Sequence, residues 1–245
     1  MSRLLRILPA FALLLAAASA HSQYYNPAEQ EMLRNARLAL LPNYFHNAAA
    51  FGNVEMVRKF LATGVRVDLR DREGRTMLML SVETSVLANQ PEAKRAEMLR
   101  GKIAAAQALL ERGADPRLKS NGGFTVLHTA AHLGEFAPLM EQFIAKGADA
   151  NAVDTWGRTA MFTAVYPNDS GPIEVLLRHG ADPNVRDLKK WTPLLLAALR
   201  KNVTTAARLV EAGADPSLPN EDGVTALQLA TDSGDAALIA AMKKK

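Results

Sequence analysis

A five-residue phrase recurs along this chain at a nearly constant interval, and this period constrains the fold more than any other feature. The phrase Gly-Ala-Asp-Pro/Ala-x begins at Gly113, Gly147, Gly180 and Gly213, and a degraded copy begins at Gly64. A fixed period of about 33 residues indicates one supersecondary unit that is repeated along the chain and packs only on its neighbours.

A second marker has the same period. Threonines that open an apolar run stand at Thr125, Thr159, Thr192 and Thr225, so their spacing matches that of the glycines to within a single position. Each threonine is followed by two short apolar runs with helical spacing, and after Thr125, Thr159 and Thr192 the second run ends at the glycine phrase. Two markers that share one period therefore define a unit of one turn and two helices.

This unit resembles the ankyrin repeat, and the resemblance covers residues 43–245. It implies an all-α fold, a solenoid of about six helix-turn-helix repeats that carry β-turn fingers. The repeat boundaries predicted from the two markers are 43–71, 72–120, 121–154, 155–187, 188–220 and 221–245.

The glycine phrase should close each second helix. We expect Gly180 and its equivalents to adopt a left-handed backbone conformation, which glycine tolerates best. The aspartate two positions later occurs once in every regular repeat, as in Asp182. We interpret it as a turn stabiliser that bonds nearby backbone N–H groups.

Residues 1–20 have the pattern of a secretory signal peptide. Arg3 and Arg6 form a basic start, residues 7–18 are apolar, and Ala18-Ser19-Ala20 is a small-x-small cleavage motif. The apolar run is shorter than the ~20 residues that a helix needs to span a bilayer, which disfavours the alternative, an N-terminal membrane anchor. On a cysteine-free, alanine-rich chain, this pattern predicts a bacterial protein exported to the periplasm with cleavage after Ala20.

Residues 21–42 are expected to form an N-terminal capping helix. Asn26 suits the N-cap, Pro27 suits the first helical position, and Glu29 is favourable near the positive end of the helix dipole. The apolar stripe of this helix would cover the open end of the solenoid.

Repeat two is longer than the regular repeats. The separation from Thr76 to Gly113 exceeds the separation from Thr125 to Gly147, the same two markers in repeat three, by 37 − 22 = 15 positions. Pro91, followed by a long run with a single glycine, predicts a helix over residues 92–112. We interpret the extra segment as an elongated helical hairpin, with a flexible loop at 87–101 as the alternative. The expected apolar face of the helix is Ala96, Leu99, Ile103, Ala106 and Leu110.

Composition and motifs argue against catalysis and against several classes of partner. The formal net charge of +4 falls to +2, with 27 basic against 25 acidic residues, when residues 1–20 are removed. A balance this close to neutral does not favour nucleic acid or a membrane surface. Cysteine is absent, which excludes thiol catalysis. The chain lacks nucleophile-elbow, P-loop and dinucleotide-binding motifs, so we expect neither an enzyme nor a cofactor.

The histidines are interpreted as structural. His46 and His128 occupy the fourth position of the threonine phrase, where the ankyrin resemblance implies a bond from the imidazole to neighbouring backbone. His132 follows His128 by four positions, a spacing that suits a metal site on a helix, but no further ligand accompanies the pair. We therefore expect no metal site.

Residues that change from repeat to repeat are the candidates for partner binding. In the family that this chain resembles, partners usually meet the turn tips and first helices, which line a concave groove. Aromatic and arginine side chains are enriched among the residues that dominate binding energy. Six residues of repeats three to five combine such a side chain with such a position: Phe124, Trp156, Arg158, Tyr166, Trp191 and Arg200.

These observations predict a non-enzymatic protein that binds another protein through the groove and the turn tips. The resemblance to exported bacterial ankyrin proteins implies a periplasmic scaffold, inhibitor or protector of an envelope or stress-defence protein. We expect a monomer that binds no nucleic acid and is not embedded in a membrane after signal cleavage. The alternative is a small-molecule or envelope-glycan binding protein, in which Trp156 and Trp191 stack on sugar rings.

Overall fold

The computed structural model describes residues 44–167 and 169–243, and over these residues the chain is an all-α repeat solenoid, as predicted. The expected signal peptide at 1–20 and capping helix at 21–42 lie outside the described residues. Two helices fall within each predicted repeat. In chain order they are α1 (44–50), α2 (Val54–Ala62), α3 (Met77–Ser81), α4 (Glu92–Glu111), α5 (Val126–Ala130), α6 (Ala137–Ala145), α7 (Ala160–Thr163), α8 (Gly171–Arg178), α9 (Pro193–Leu199), α10 (Val203–Glu211), α11 (Ala226–Ser233) and α12 (Ala236–Met242).

The helices form two layers. The first helices of repeats two to six pack on one another in sequence, from α3 to α11, and the second helices pack behind them. The apolar core lies between the layers. Its largest buried members include Phe136, Phe143, Met161, Leu127 and Leu139. Because each repeat contacts only its neighbours, the first helices present an extended surface on the side away from the second helices.

The glycine turns have the predicted conformation and hydrogen bonds. Gly180 has a φ of 77°, and Gly147 and Gly213 are also left-handed. The Asp182 carboxylate accepts a bond from the N–H of Asn184 at 2.8 Å, and the other turn aspartates accept the equivalent bond. The prediction that these aspartates stabilise the turns is therefore confirmed.

Asparagines after these turns join one repeat to the next, a role that the sequence interpretation missed. The Asn184 side chain donates to the carbonyl of Gly213 at 3.0 Å and accepts from the N–H of Asp215 at 2.8 Å. Asn151 makes the same pair of bonds to Gly180 and Asp182. Each asparagine thus pairs a carbonyl and an N–H group of the following turn.

Five fingers precede the first helices of repeats two to six, at residues 71–75, 120–124, 154–158, 187–191 and 220–224. Each finger is closed by a bond from the N–H group of its first residue to the carbonyl of its fifth. The side chain of the first residue reinforces this turn, as where Asp154 Oδ1 accepts the N–H groups of Trp156 and Arg158. Adjacent fingers are also bonded, for example from Thr155 to Gly122 and from Leu188 to Trp156.

The insertion in repeat two differs from the predicted hairpin. Helix α4 is elongated to 20 residues, but its partner α3 is only five residues long. The intervening segment instead contains a short 3₁₀ helix, Ser85–Leu87. The flexible-loop alternative is also wrong for residues 92–101, which are helical.

The predicted apolar face of α4 is wrong at its first three residues and correct at Ala106 and Leu110, which are buried. Ala96 is exposed and Ile103 only half-buried, whereas Met98, Lys102 and Leu109 are buried. The reason is the direction from which neighbouring helices pack, since α4 contacts both α2 and α3.

A close backbone approach sets that direction. A side chain at Gly101 would overlap the carbonyl oxygen of Gly52, and one at Gly52 would lie 2.5 Å from the N atom of Lys102. The backbone of α4 therefore lies directly against the loop between α1 and α2, and Lys102 is held inside. Its ammonium group is fully buried (0% exposed) and donates to the carbonyl of Leu80 at 3.3 Å.

Candidate functional site

The finger of repeat four places three of the predicted residues together. The rings of Phe124 and Trp156 meet edge to face with centroids 5.9 Å apart. The Arg158 guanidinium lies 4.6 Å from the centroid of the Trp156 ring, within the range of a cation–π contact. Two fingers that bond through their backbones thereby place an aromatic pair and a cation side by side.

Arg158 is fixed in this position by Asp154. Its Nε and Nη2 atoms donate to Oδ2 of Asp154 at 3.0 and 2.9 Å. The Asp154 side chain is only 1% exposed, so the ion pair holds the guanidinium in one orientation. Because the Arg158 side chain is already ordered in the free protein, it loses less conformational entropy on binding, which favours affinity.

A second cluster lies at the opposite ends of the first helices. The Arg200 guanidinium lies 3.9 Å from the centroid of the Tyr166 ring. On the other side, the His132 ring is 5.9 Å from that of Tyr166. These residues come from repeats three, four and five, so the cluster runs along the solenoid. Burial lowers the pKa of His132, although the Glu83 carboxylate opposes this shift.

Two cavities connect the clusters. The larger has a volume of about 500 Å³ and lies between repeats two and three, where its lining includes Arg75, Glu83, Phe124 and His132. The smaller, of about 230 Å³, is lined by Phe124 and His132 as well as by Arg158, Tyr166 and other residues. Because Phe124, His128 and His132 border both, the cavities are adjoining parts of one groove.

Trp191 is placed differently from the other candidates. It is half-buried, and neither cavity is lined by it. Its N–H group donates to Asp187 Oδ1 at 2.8 Å, which closes the finger of repeat five. Trp156, by contrast, is 51% exposed, but Arg158 lies over its ring. The two tryptophans therefore do not present two equally open ring faces on which sugar rings could stack.

An acidic cluster at the larger cavity was missed by the sequence interpretation. Arg75 Nε lies 2.8 Å from Asp71 and 3.1 Å from Glu73, and its Nη1 atom is 3.7 Å from Glu83. Glu83 follows the short helix α3, in the segment for which the sequence predicts a hairpin. Glu83 reaches the groove because helix α3 ends two residues before it, at Ser81.

The histidines of the threonine phrase differ in their bonds. His128 Nδ1 accepts from the N–H group of Thr125, and its Nε2 atom lies 3.0 Å from the carbonyl oxygen of Arg158. The predicted backbone bond is thus confirmed for His128, and burial lowers its pKa. In His46 the buried Nε2 atom has no hydrogen-bond partner, and a backbone bond to its Nδ1 atom stays a prediction, because the equivalent of Thr125 is position 43, outside the described residues. Within residues 44–167 and 169–243, no three potential ligands cluster as a metal site.

The chain is similar to known repeat proteins. The profile of a family described as Ankyrin repeats (3 copies) matches residues 95–187 and 168–244. The chain is 35% identical over 103 residues to glycerophosphocholine phosphodiesterase gde1 of Schizosaccharomyces pombe, which is 42% of this chain and 9% of that protein. It is 32% identical over 127 residues to palmitoyltransferase AKR1 of Lachancea kluyveri, at 51% and 17% coverage.

A third relative is the 2-5A-dependent ribonuclease of Mus musculus, which is 42% identical over 62 residues, 25% of this chain and 8% of that protein. The chain therefore spans less than a fifth of the length of these three curated relatives, and their activities do not transfer with the match. All three are eukaryotic, so bacterial origin stays a prediction. None of the helices in the part that the structure describes is long and apolar enough to cross a membrane.

Proposed function

This chain belongs to the ankyrin repeat family, and we propose that it binds another protein through the groove and fingers of repeats two to five. Ankyrin repeats in general mediate protein–protein interactions, and a domain of this kind is typically non-catalytic. The continuity of the two cavities carries the proposal. A stable interface needs ~800 Å² from each partner, and a groove that crosses several repeats can supply such an area.

The groove also has the side chains that such an interface uses. Trp156 and Tyr166 are 51% and 46% exposed, although both are large aromatic residues. Each carries an arginine against its ring, so an apolar surface and a hydrogen-bond donor stand together at two points. Aromatic and arginine side chains in this arrangement are typical of interface hot spots.

Our proposal also covers the compartment in which the protein acts and its role there. The tripartite pattern of residues 1–20 supports export to the periplasm, where the mature protein would act as a monomeric scaffold, inhibitor or protector of an envelope or stress-defence protein. Without residues 1–20 the formal net charge is +2, with 27 basic against 25 acidic residues, and this near-neutral balance supports a protein partner over nucleic acid.

Affinity capture from a periplasmic extract tests the binding site. We expect a specific protein to be retained by the wild type and lost with Trp156→Ala/Tyr166→Ala, because both rings would contact the partner. Their exposure means that the variant should unfold at nearly the wild-type temperature.

Phe51→Ala is the matched control, since Phe51 is a 47% exposed aromatic residue in repeat one, outside the groove of repeats two to five. It should retain the partner in full. Equal capture by the double variant and the wild type would show that the groove is not the site. Retention of purified envelope glycan in place of any protein would favour the glycan-binding alternative.

A further inference from the structure

Repeat five has a lysine where the other fingers have a glycine. The fourth finger residue is Gly74, Gly123, Gly157 or Gly223 in four fingers and Lys190 in the fifth. All five have a positive φ, which is 59° at Lys190. This conformation favours glycine and strains any residue with a Cβ atom. Lys190 therefore adopts a strained backbone conformation in a turn that glycine would form without strain.

The same replacement occurs in the loop between the two helices of repeat five. Lys201 has a φ of 55°, whereas the equivalent positions in repeats one and six are Gly52 and Gly234, with φ values of 70° and 67°. Lys190 and Lys201 are the two non-glycine residues with positive φ in the described part of the chain. Strained backbone tends to persist where the side chain has a function.

The two lysines lie at opposite ends of helix α9, whose Leu196 lines the smaller cavity. This helix has seven residues, so the two turns are separated by about 10 Å at 1.5 Å per residue. Lys189 adjoins Lys190 and Arg200 adjoins Lys201, and all four are exposed. Among the described residues none of the four forms an ion pair with a carboxylate, and Arg200 instead stacks on Tyr166.

The basic patch, defined as these four residues, is bounded on both sides by acids. Glu221 and Asp222 form the exposed tip of the next finger. At the other end of the groove, Glu73 and Glu83 line the larger cavity. A long polyanion that followed the groove would meet these carboxylates, whereas a short acidic segment fits within one repeat.

We propose that repeat five recognises a short acidic segment of the protein partner, with its carboxylates between the Lys189–Lys190 tip and the Arg200–Lys201 end of α9. This inference rests on the proposed function, because it names the chemistry of the protein that the groove binds. The Tyr166 ring beside Arg200 and the exposed Leu199 suit an apolar side chain within the same segment.

Selection of short random peptides displayed on phage tests the proposal. The wild type should enrich peptides rich in aspartate and glutamate. The best of them, carrying a fluorophore, should bind Lys190→Gly/Lys201→Gly at least about tenfold more weakly, and its binding to the wild type should weaken as salt rises. Glycine adopts both φ values without strain, so this variant should unfold at no lower temperature than the wild type.

Lys146→Gln is the matched control for charge, because Lys146 is exposed and lies at the end of α6, away from repeat five. It should bind the acidic peptide as the wild type does. Enrichment of neutral or basic peptides that need Tyr166 would overturn the acidic-segment proposal and leave groove binding intact. If no selected peptide depends on Tyr166, the proposed function fails as well.

Two further probes separate the acidic peptide from other polyanions. A single-stranded oligonucleotide and vesicles of phosphatidylglycerol should bind more weakly than the peptide. Tighter binding of either probe through Lys190 and Lys201 would show that the patch serves nucleic acid or a membrane surface, and would overturn the proposal.

Discussion

Lys102 has a desolvation cost in the fold, because its ammonium group is fully buried. Burial lowers its pKa from 10.5 to about 8, although the Glu83 carboxylate opposes the shift. Between these two values the unfolded chain binds a proton at Lys102 that the folded chain does not. The contribution of Lys102 to stability therefore rises with pH across this window, and its penalty is fully present below pH 8.

The first prediction follows from this penalty. Lys102→Met should stabilise the protein at pH 7 by roughly 1 to 3 kcal/mol, because a neutral side chain of similar length avoids the desolvation of the ammonium group. The advantage should shrink toward pH 10.5. Urea unfolding at both pH values measures it, and Lys94→Met, at an exposed site on the same helix, should show no such pH dependence. A wild type that is more stable than Lys102→Met at pH 7 would contradict the assignment.

The second prediction separates backbone strain from steric overlap at a glycine. Gly180 has a positive φ, and a Cβ atom there would meet nothing within 4 Å. Gly180→Val should therefore cost about 1 to 2 kcal/mol from backbone conformation alone. Thermal or urea unfolding gives the value. A loss of only a few tenths would mean that this turn tolerates a side chain.

At the scale of the element, α4 shows that helix propensity alone can predict the wrong sign for the change in stability that a substitution causes. Alanine in place of glycine in a helix interior normally stabilises by about 1 kcal/mol. At Gly101, however, the new Cβ atom would overlap the carbonyl of Gly52. Backbone cannot yield as a flexible side chain can, so the steric cost should exceed the gain in propensity.

We therefore predict that Gly101→Ala destabilises the protein by about 2 kcal/mol or more, as overpacking in a rigid contact does. Hydrogen exchange should accelerate most in residues 45–62, because repeat one is held by this contact and each repeat depends on its neighbours. Ala96→Gly, at an exposed position of α4, should cost only the ~1 kcal/mol of propensity. A stabilised Gly101→Ala would show that the two backbones can separate freely.

At the scale of the whole molecule, the prediction concerns export. Residues 1–20 carry two arginines, an apolar run and the Ala18-Ser19-Ala20 motif, so a signal peptidase should cleave after Ala20. Expression of the full chain in a Gram-negative bacterium, followed by fractionation and N-terminal sequencing, should give a periplasmic protein that begins at His21. Ala18→Phe/Ala20→Phe should block cleavage, since the enzyme needs small residues there. An uncleaved form of the wild type in the inner membrane would support the anchor alternative.

The sequence alone was sufficient for the architecture because the features that encode it are local. The glycine phrase and the threonine marker depend on bonds between near neighbours in the chain, such as that from Asn184 to Asp182. The regular recurrence of these two markers then extends this local order into a solenoid. Groove positions such as Phe124 and Tyr166 could be predicted from register, because equivalent residues of stacked repeats occupy equivalent places.

The tertiary structure alone decided the features that depend on contacts between distant segments. Helix α4 buries Lys102 and leaves Ala96 exposed because Gly101 and Gly52 bring two backbones together, and periodicity within one helix cannot show from where a neighbour approaches. Stacking of adjacent fingers likewise placed the ring of Trp156 against that of Phe124 and left Trp191 outside both cavities. The strain at Lys190 and Lys201 appears only in their φ angles, since a sequence records which residue stands at a turn but not the conformation that the surrounding bonds impose on it.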